Sequence, residues 1–192
     1  AIRPHVAGYF SDMLKAVIAQ PVMLQYLDQK ASVGPESAAG KKKENGLNEN
    51  FARELLELHT LGVGGPYSQA DVTELAELLT GLTYNQDGVF GFREEFAQPG
   101  AETVLGQSYG GGAAALSDVH AALDDLARHP ATARHLAQKM AVHFVSDRPD
   151  SALVDAMQGR YLETGGHLGE MVHGAAPCAT DLDTNLNLDK HG

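Results

Sequence analysis

The sequence has no tryptophan, a single cysteine and no stretch of about 18 uninterrupted apolar residues, and these absences exclude several classes of protein. Without such a stretch, no transmembrane helix is expected. With only Cys178, neither an internal disulfide nor a thiolate-rich metal centre can form. One cysteine suits a reducing cytoplasm and equally an exported protein that uses no disulfides. Positive charge is scarce too: 14 basic residues face 25 acidic ones, a net charge of −11. A surface that acidic repels phosphate backbones, so nucleic acid is not an expected partner. The opening Ala1-Ile2-Arg3-Pro4-His5 runs straight into an amphipathic pattern and lacks a signal-peptide layout.

What is present is ordinary globular material. The 192 residues are 43% hydrophobic and 20% charged, enough to bury a core. Val6, Tyr9, Phe10, Met13, Leu14 and Val17 recur at helical spacing behind Pro4, and Pro21 opens a short helix to Leu27. Residues 29–47 lose periodicity, gather Gly34, Pro35 and Gly40, and read as a loop carrying Lys41-Lys42-Lys43. Its simplest reading is a solvated loop; an acidic partner or an anionic lipid surface is the alternative. Ser68-Gln69-Ala70-Asp71 reads as a capping box with Asp in place of Glu, opening a helix that Gly81 ends. Phe90 and Phe92 alternate, Pro99-Gly100 marks a turn, and Thr103-Val104-Leu105 favours extension, so a small hairpin is expected near 89–105. Helices follow at about Ser117–Arg128, Pro130–Val145 and Pro149–Glu163, and apolar density falls from Val172.

The strongest helical signal runs from Leu47 to Leu61. At about 100° per residue, Phe51, Ala52, Leu55, Leu56 and Leu58 share one side, with His59 in its middle. Glu49, Asn50, Arg53, Glu54 and Glu57 crowd the other. Glu49–Arg53 and Arg53–Glu57 are i,i+4 pairs, so one cation bridges two carboxylates. On a solvated face each pair contributes only about 0.3 kcal/mol. Withdrawn into a helix interface or cleft, Arg53 would instead orient a carboxylate as a base or ligand.

The string Asn48-Glu49-Asn50-Phe51-Ala52-Arg53-Glu54-Leu55-Leu56-Glu57-Leu58-His59-Thr60-Leu61-Gly62-Val63, then Tyr67 and Asp71-Val72, resembles the signature segment of a bacterial family called domain of unknown function 1800, DUF1800. Tyr26-Leu27-Asp28 and the basic loop resemble its upstream flank. His129-Pro130-Ala131-Thr132-Ala133-Arg134, Lys139 and Phe144-Val145 are similar to its later helices. The likeness covers residues 1–171. It implies a helical fold, a bacterial source and a further N-terminal region in the usual family member; it brings no activity. Where the family pattern has a His-Asp pair and then Lys, this chain has Ala97-Gln98 and Glu102, and the stretch 172–192 ceases to match. That stretch is expected to be an irregular tail.

Several strings look catalytic. Gly106-Gln107-Ser108-Tyr109-Gly110 matches the G-x-S-x-G elbow, but an elbow needs a strand before it and a helix directly after, and Gly111-Gly112 disfavour the helix. His135, Lys139 and His143 lie along one flank of a helix, with the histidines about 12 Å apart, too far to share a metal unaided. Glu170 and His173 have the spacing of a di-iron half-site with no second copy. Asp181 to Asp189 mimics the first half of a calcium loop, with Leu186 in place of the turn glycine. No metal site and no cofactor are expected.

These observations predict an all-α domain of six or seven helices packed orthogonally, with one hairpin. The leading functional expectation is a binding or assembly module that uses the polar face of helix 47–61. Its binding residues would be Asn48, Asn50, Arg53, His59, Lys139 and His143. Its partner would be another protein or the N-terminal region of its own chain. The alternative is a hydrolase with Glu54 and Glu57 in an Asn/Arg/Glu-lined cleft faced by Lys139 or His143, or one that uses Ser108 as nucleophile.

Overall fold

The computed structural model describes residues 2–42 and 46–173. Cys178, the tail expected at 172–192 apart from Val172 and His173, and the calcium-like string lie outside them. Among the described residues, eight helices run in order: α1 (Phe10–Ile18), α2 (Pro21–Tyr26), α3 (Asn50–Glu54), α4 (Gln69–Leu78), α5 (Leu116–Arg128), α6 (Pro130–Phe144), α7 (Ser151–Glu163) and α8 (Leu168–His173). Short 3-10 turns stand at Arg3–His5, Gln29–Ala31 and Gly40–Lys42.

The expectation of an all-α domain of six or seven helices with one small hairpin holds in its predominance of helix and is corrected in its count of strands. Two antiparallel hairpins are present, β1 (Leu82–Tyr84) with β2 (Phe90–Phe92), and β3 (Gly100–Val104) with β4 (Gln107–Gly112). The alternation of Phe90 and Phe92 belongs to the first, which pairs Tyr84 with Phe90 and Leu82 with Phe92. Thr103-Val104 belongs to the second. One apparent hairpin at 89–105 was the adjoining halves of two.

The first helix begins later than the periodicity indicates. Gly8 interrupts the chain, Tyr9 bridges to His167, and Phe10 N–H donates to the Gly166 carbonyl, so the start of α1 is tied to the α7–α8 connection. The capping box forms as read: Asp71 N–H donates to Ser68 Oγ (3.2 Å) and Ser68 N–H to Asp71 Oδ2 (2.7 Å). The other oxygen of Asp71 accepts from Leu105 N–H at 2.7 Å. Leu105 is a non-glycine residue at φ +50°, paired with Gly106 at +78° in the two-residue turn between β3 and β4. Both central residues of such a turn need positive φ, which Leu adopts only under restraint. Asp71 supplies that restraint, fastening the second hairpin to the start of α4.

One apolar cluster joins α1 (Leu14, Ile18), the signature helix (Phe51, Leu55, Leu56), α4 (Leu75, Leu79), α5 (Leu123), α7 (Tyr161) and α8 (Met171). Tyr161 is fully buried and its hydroxyl donates to the Ala127 carbonyl at 2.7 Å, tying α7 to the end of α5. α6 meets this core with four fully buried small residues, Thr132, Ala133, Ala137 and Ala141, and with the half-buried Leu136 and Met140.

Candidate functional site

The signature helix does not remain α-helical. After Glu54 it widens into a π-type turn over Leu55–His59. The wider turn strands main-chain carbonyls, and side chains take them up. His59 Nδ1 lies 2.9 Å from the Glu54 carbonyl, and Thr60 Oγ1 donates to that of Leu55 at 2.8 Å. Turns of this kind carry one residue beyond the α-helical count and recur at functional sites. Here the extra residue rotates everything after Leu55. Phe51, Ala52, Leu55 and Leu56 are buried as the wheel predicts, whereas Leu58 is 49% exposed and His59 is half-buried rather than central to the apolar side.

The charged side of the helix closes onto α4. Arg53 donates to Glu49 Oε2 (3.2 Å) and to Gln69 Oε1 (2.9 Å) and reaches Glu57 at 3.7 Å. Glu49 also accepts from Gln69 Nε2 (2.9 Å) and from Thr73 Oγ1 (2.7 Å). The hydrogen bonds from Thr73 and Gln69, assisted by Arg53, hold the Glu49 carboxyl below its ordinary range. Tyr67 lies against Glu57, and burial together with that carboxylate pushes its phenol up. The network is half-open: the Arg53 side chain is 40% exposed and that of Glu49 32%. Gln69 and Thr73 are the partners that sequence reading missed. Gln69 was seen only as part of a capping box, and nothing local in the sequence says that its amide turns back to Arg53.

The other expected site residues do not gather around Arg53. Asn48 is a scaffold residue, donating from Nδ2 to the Leu27 carbonyl (2.9 Å) while its N–H donates to Ser32 Oγ (3.1 Å). Asn50 is exposed, and Glu54 is half-buried with no ion pair among the described residues. Lys139, expected to meet Glu54 or Glu57, instead directs Nζ at the Leu58 carbonyl (3.4 Å). His135 Nε2 lies at the same distance from that carbonyl. Burial is the main cause that depresses the His135 pKa. His143 is exposed and rests edge-on against the Phe144 ring at 4.6 Å.

Ser108 sits in β4 opposite Thr103, exposed, on a two-stranded antiparallel ribbon. Its strand follows a tight turn, and the next helix starts only at Leu116. The strand–turn–helix of a nucleophile elbow is therefore absent at Ser108. Treatment with a fluorophosphonate probe is expected to leave Ser108 unlabelled by intact-mass analysis; stoichiometric labelling would restore the serine-hydrolase reading. Among the described residues, no group of three or more His, Cys, Asp or Glu side chains is placed to hold a metal ion.

A family model described as "Protein of unknown function (DUF1800)" matches residues 1–175. The chain belongs to the DUF1800 family. No curated protein and no solved structure matches it. The DUF1800 match spans every described helix, so the π-type turn, the Arg53 network and the α6 contact to Leu58 all fall inside the family region. No helix among the described residues is long and apolar enough to cross a membrane.

Proposed function

We propose that this DUF1800 chain is a binding or assembly module, and that its docking face is the groove along α6 and the segment 61–65 that follows the π-type turn. The polar face of helix 47–61 is a weaker choice than the sequence suggests, because Gln69 and Thr73 already satisfy Arg53 and Glu49. A side chain so engaged must break existing hydrogen bonds before it can make new ones.

The observation that carries the reading is the exposed apolar cluster at the C-terminal end of α6. The fully buried positions of α6 are small, while its outward positions near the C-terminus carry Val142 and the 73% exposed Phe144, followed by Val145. Leu58 and Val63 are exposed on the neighbouring segment. A concavity of about 590 Å³ runs along His135, Lys139, Val142 and His143, and a second of about 310 Å³ continues from His135 to Val63. Large apolar side chains beside a continuous groove mark a surface built to be covered. Lys139 places a cation on its rim, on an otherwise acidic chain. The occupant that fits is an amphipathic helix with an apolar ridge and an acidic flank.

Phe144 replaced by the photocrosslinker benzoylphenylalanine, in the natural polypeptide within its own cells, is expected to give one dominant adduct on such a helix. Peptide mapping then tells a segment of the same polypeptide from a second protein. If positions 142 and 144 both yield only solvent-quenched product, the reading fails.

A further inference from the structure

The chain carries few cations, yet Lys30, Lys42 and Arg93 line two adjoining concavities around the first hairpin. A concavity of about 510 Å³ is lined by Lys30, Tyr84, Val89, Phe90 and Arg93. Arg93 also borders a second concavity of about 300 Å³ that includes Lys42. Lys30 projects from the Gln29–Ala31 turn and holds its Nζ 4.3 Å from the centre of the Tyr84 ring. Among the described residues it meets no carboxylate. Arg93 lies over Phe96, 3.9 Å from the ring centre, and pairs with Glu95 through Nε (2.8 Å) and one terminal nitrogen (2.7 Å).

The local sequence explains why the groove is open. Tyr84 and Phe90 are cross-strand partners, so their rings lie side by side on one face of the ribbon, half-buried against the core. Gly91 opposes Thr83 on the other face and places no side chain there. Val89, at the mouth, is exposed. Lys30, held against the Tyr84 face, is fixed in place without being neutralised, because a ring quadrupole attracts the charge yet leaves its N–H groups free to donate. Arg93, by contrast, shares its charge with Glu95 and keeps one terminal nitrogen free of that pair. A surface that combines a flat apolar floor with outward-facing donors suits a ligand that has both a flat face and an anionic group.

We infer that the groove between Lys30 and Arg93 is a binding site for a small anionic ring compound, one joining a carboxylate or phosphate to a flat apolar face. The ring lies on Phe90, beside the Tyr84 ring that Lys30 covers, and the anion bridges Lys30 Nζ and the terminal nitrogen of Arg93 that Glu95 leaves unengaged. Glu95 is the competing carboxylate. Its pairing with Arg93 holds its own carboxyl below the ordinary range. The site is remote in sequence from the α6 groove and independent of its occupant.

The test is titration of the purified chain, followed by amide chemical shifts, with four probes: phenyl phosphate, benzoate, inorganic phosphate and benzyl alcohol. Saturable shifts confined to residues 30 and 83–93 are expected for the first two, weakening as salt is raised. Inorganic phosphate and benzyl alcohol each lack one half of the recognised chemistry and should bind at least about tenfold more weakly, the factor that corresponds to one lost contact. Lys30→Met is expected to weaken phenyl phosphate by a similar factor, about tenfold, and Lys30→Arg to retain it. Two results overturn the inference: inorganic phosphate binding as well as phenyl phosphate, or Lys30→Met leaving phenyl phosphate affinity unchanged while its amide spectrum shows an intact fold.

Discussion

Glu102→Gln is expected to stabilise the protein above neutrality and to remove most of the loss of stability between pH 4.5 and 7. Glu102 lies on β3, where alternation turns it and Val104 inward while Ala101 and Thr103 face out. It is 4% exposed. Burial, then the charge of Glu77, with smaller contributions from Glu74 on α4 and Asp118 on α5, raises its pKa from 4.5 to about 7. An acid whose pKa is higher in the folded state favours folding only while it is protonated. Its contribution is fully present below pH 4.5 and is lost as the pH rises through 7. At about 1.4 kcal/mol per pKa unit, the loss is at most about 3 kcal/mol. Glu49 and Asp71 act in the opposite direction, because hydrogen bonds hold their carboxyls low and their contribution disappears in acid. The comparison of wild type with variant isolates Glu102 from them. Urea unfolding at pH 4.5, 6, 7 and 8 measures it, and curves that stay parallel for the two proteins would remove Glu102 as the cause.

Phe51→Ala is expected to cost about 3–5 kcal/mol, the range for truncating a fully enclosed aromatic side chain. Phe51 is 1% exposed and belongs to the central cluster with Leu55 and Leu56. Asn50, its neighbour in the signature, is exposed and should change stability by less than about 0.5 kcal/mol on truncation to Ala. Denaturant midpoints of the two variants decide whether the signature is dominated by packing at its inner face. A loss below about 1 kcal/mol for Phe51→Ala would mean that the core relaxes around the cavity, contrary to the packing described.

Much of the helical layout was readable in advance because it rests on local chemistry. Pro21 and Pro130 each open a helix, and Ser68 with Asp71 forms the box that its spacing announces. The hairpins were harder. Leu82–Tyr84 is only three residues long and reads as the end of a helical region, so the strand that pairs with Phe90–Phe92 has no periodicity of its own. α8 was also missed. Its six residues follow Gly165-Gly166 and are fixed by contact with the Gly8 carbonyl, which Leu168 N–H meets at 2.9 Å. At the site, Glu49, Arg53 and Glu57 lie on one side as i,i+4 arithmetic requires, but which helix covers them is a tertiary fact. So is the destination of Lys139. Lys139, expected opposite Glu54 and Glu57, meets the Leu58 carbonyl instead, one of those left open at the end of the helical segment.

That turn sets a rule about counting. Deleting a single residue between Leu55 and His59 would restore ordinary helical winding and swing the following segment by about 100°. The Leu58 carbonyl would then leave the reach of His135 and Lys139. Gly62, at φ +90°, faces the same constraint from the other side, since a methyl group there would come within 2.8 Å of the His135 ring. The position of the Leu58 carbonyl thus follows from how many residues the segment contains rather than from which ones they are. A helix-favouring composition at 55–59 cannot substitute for the correct length.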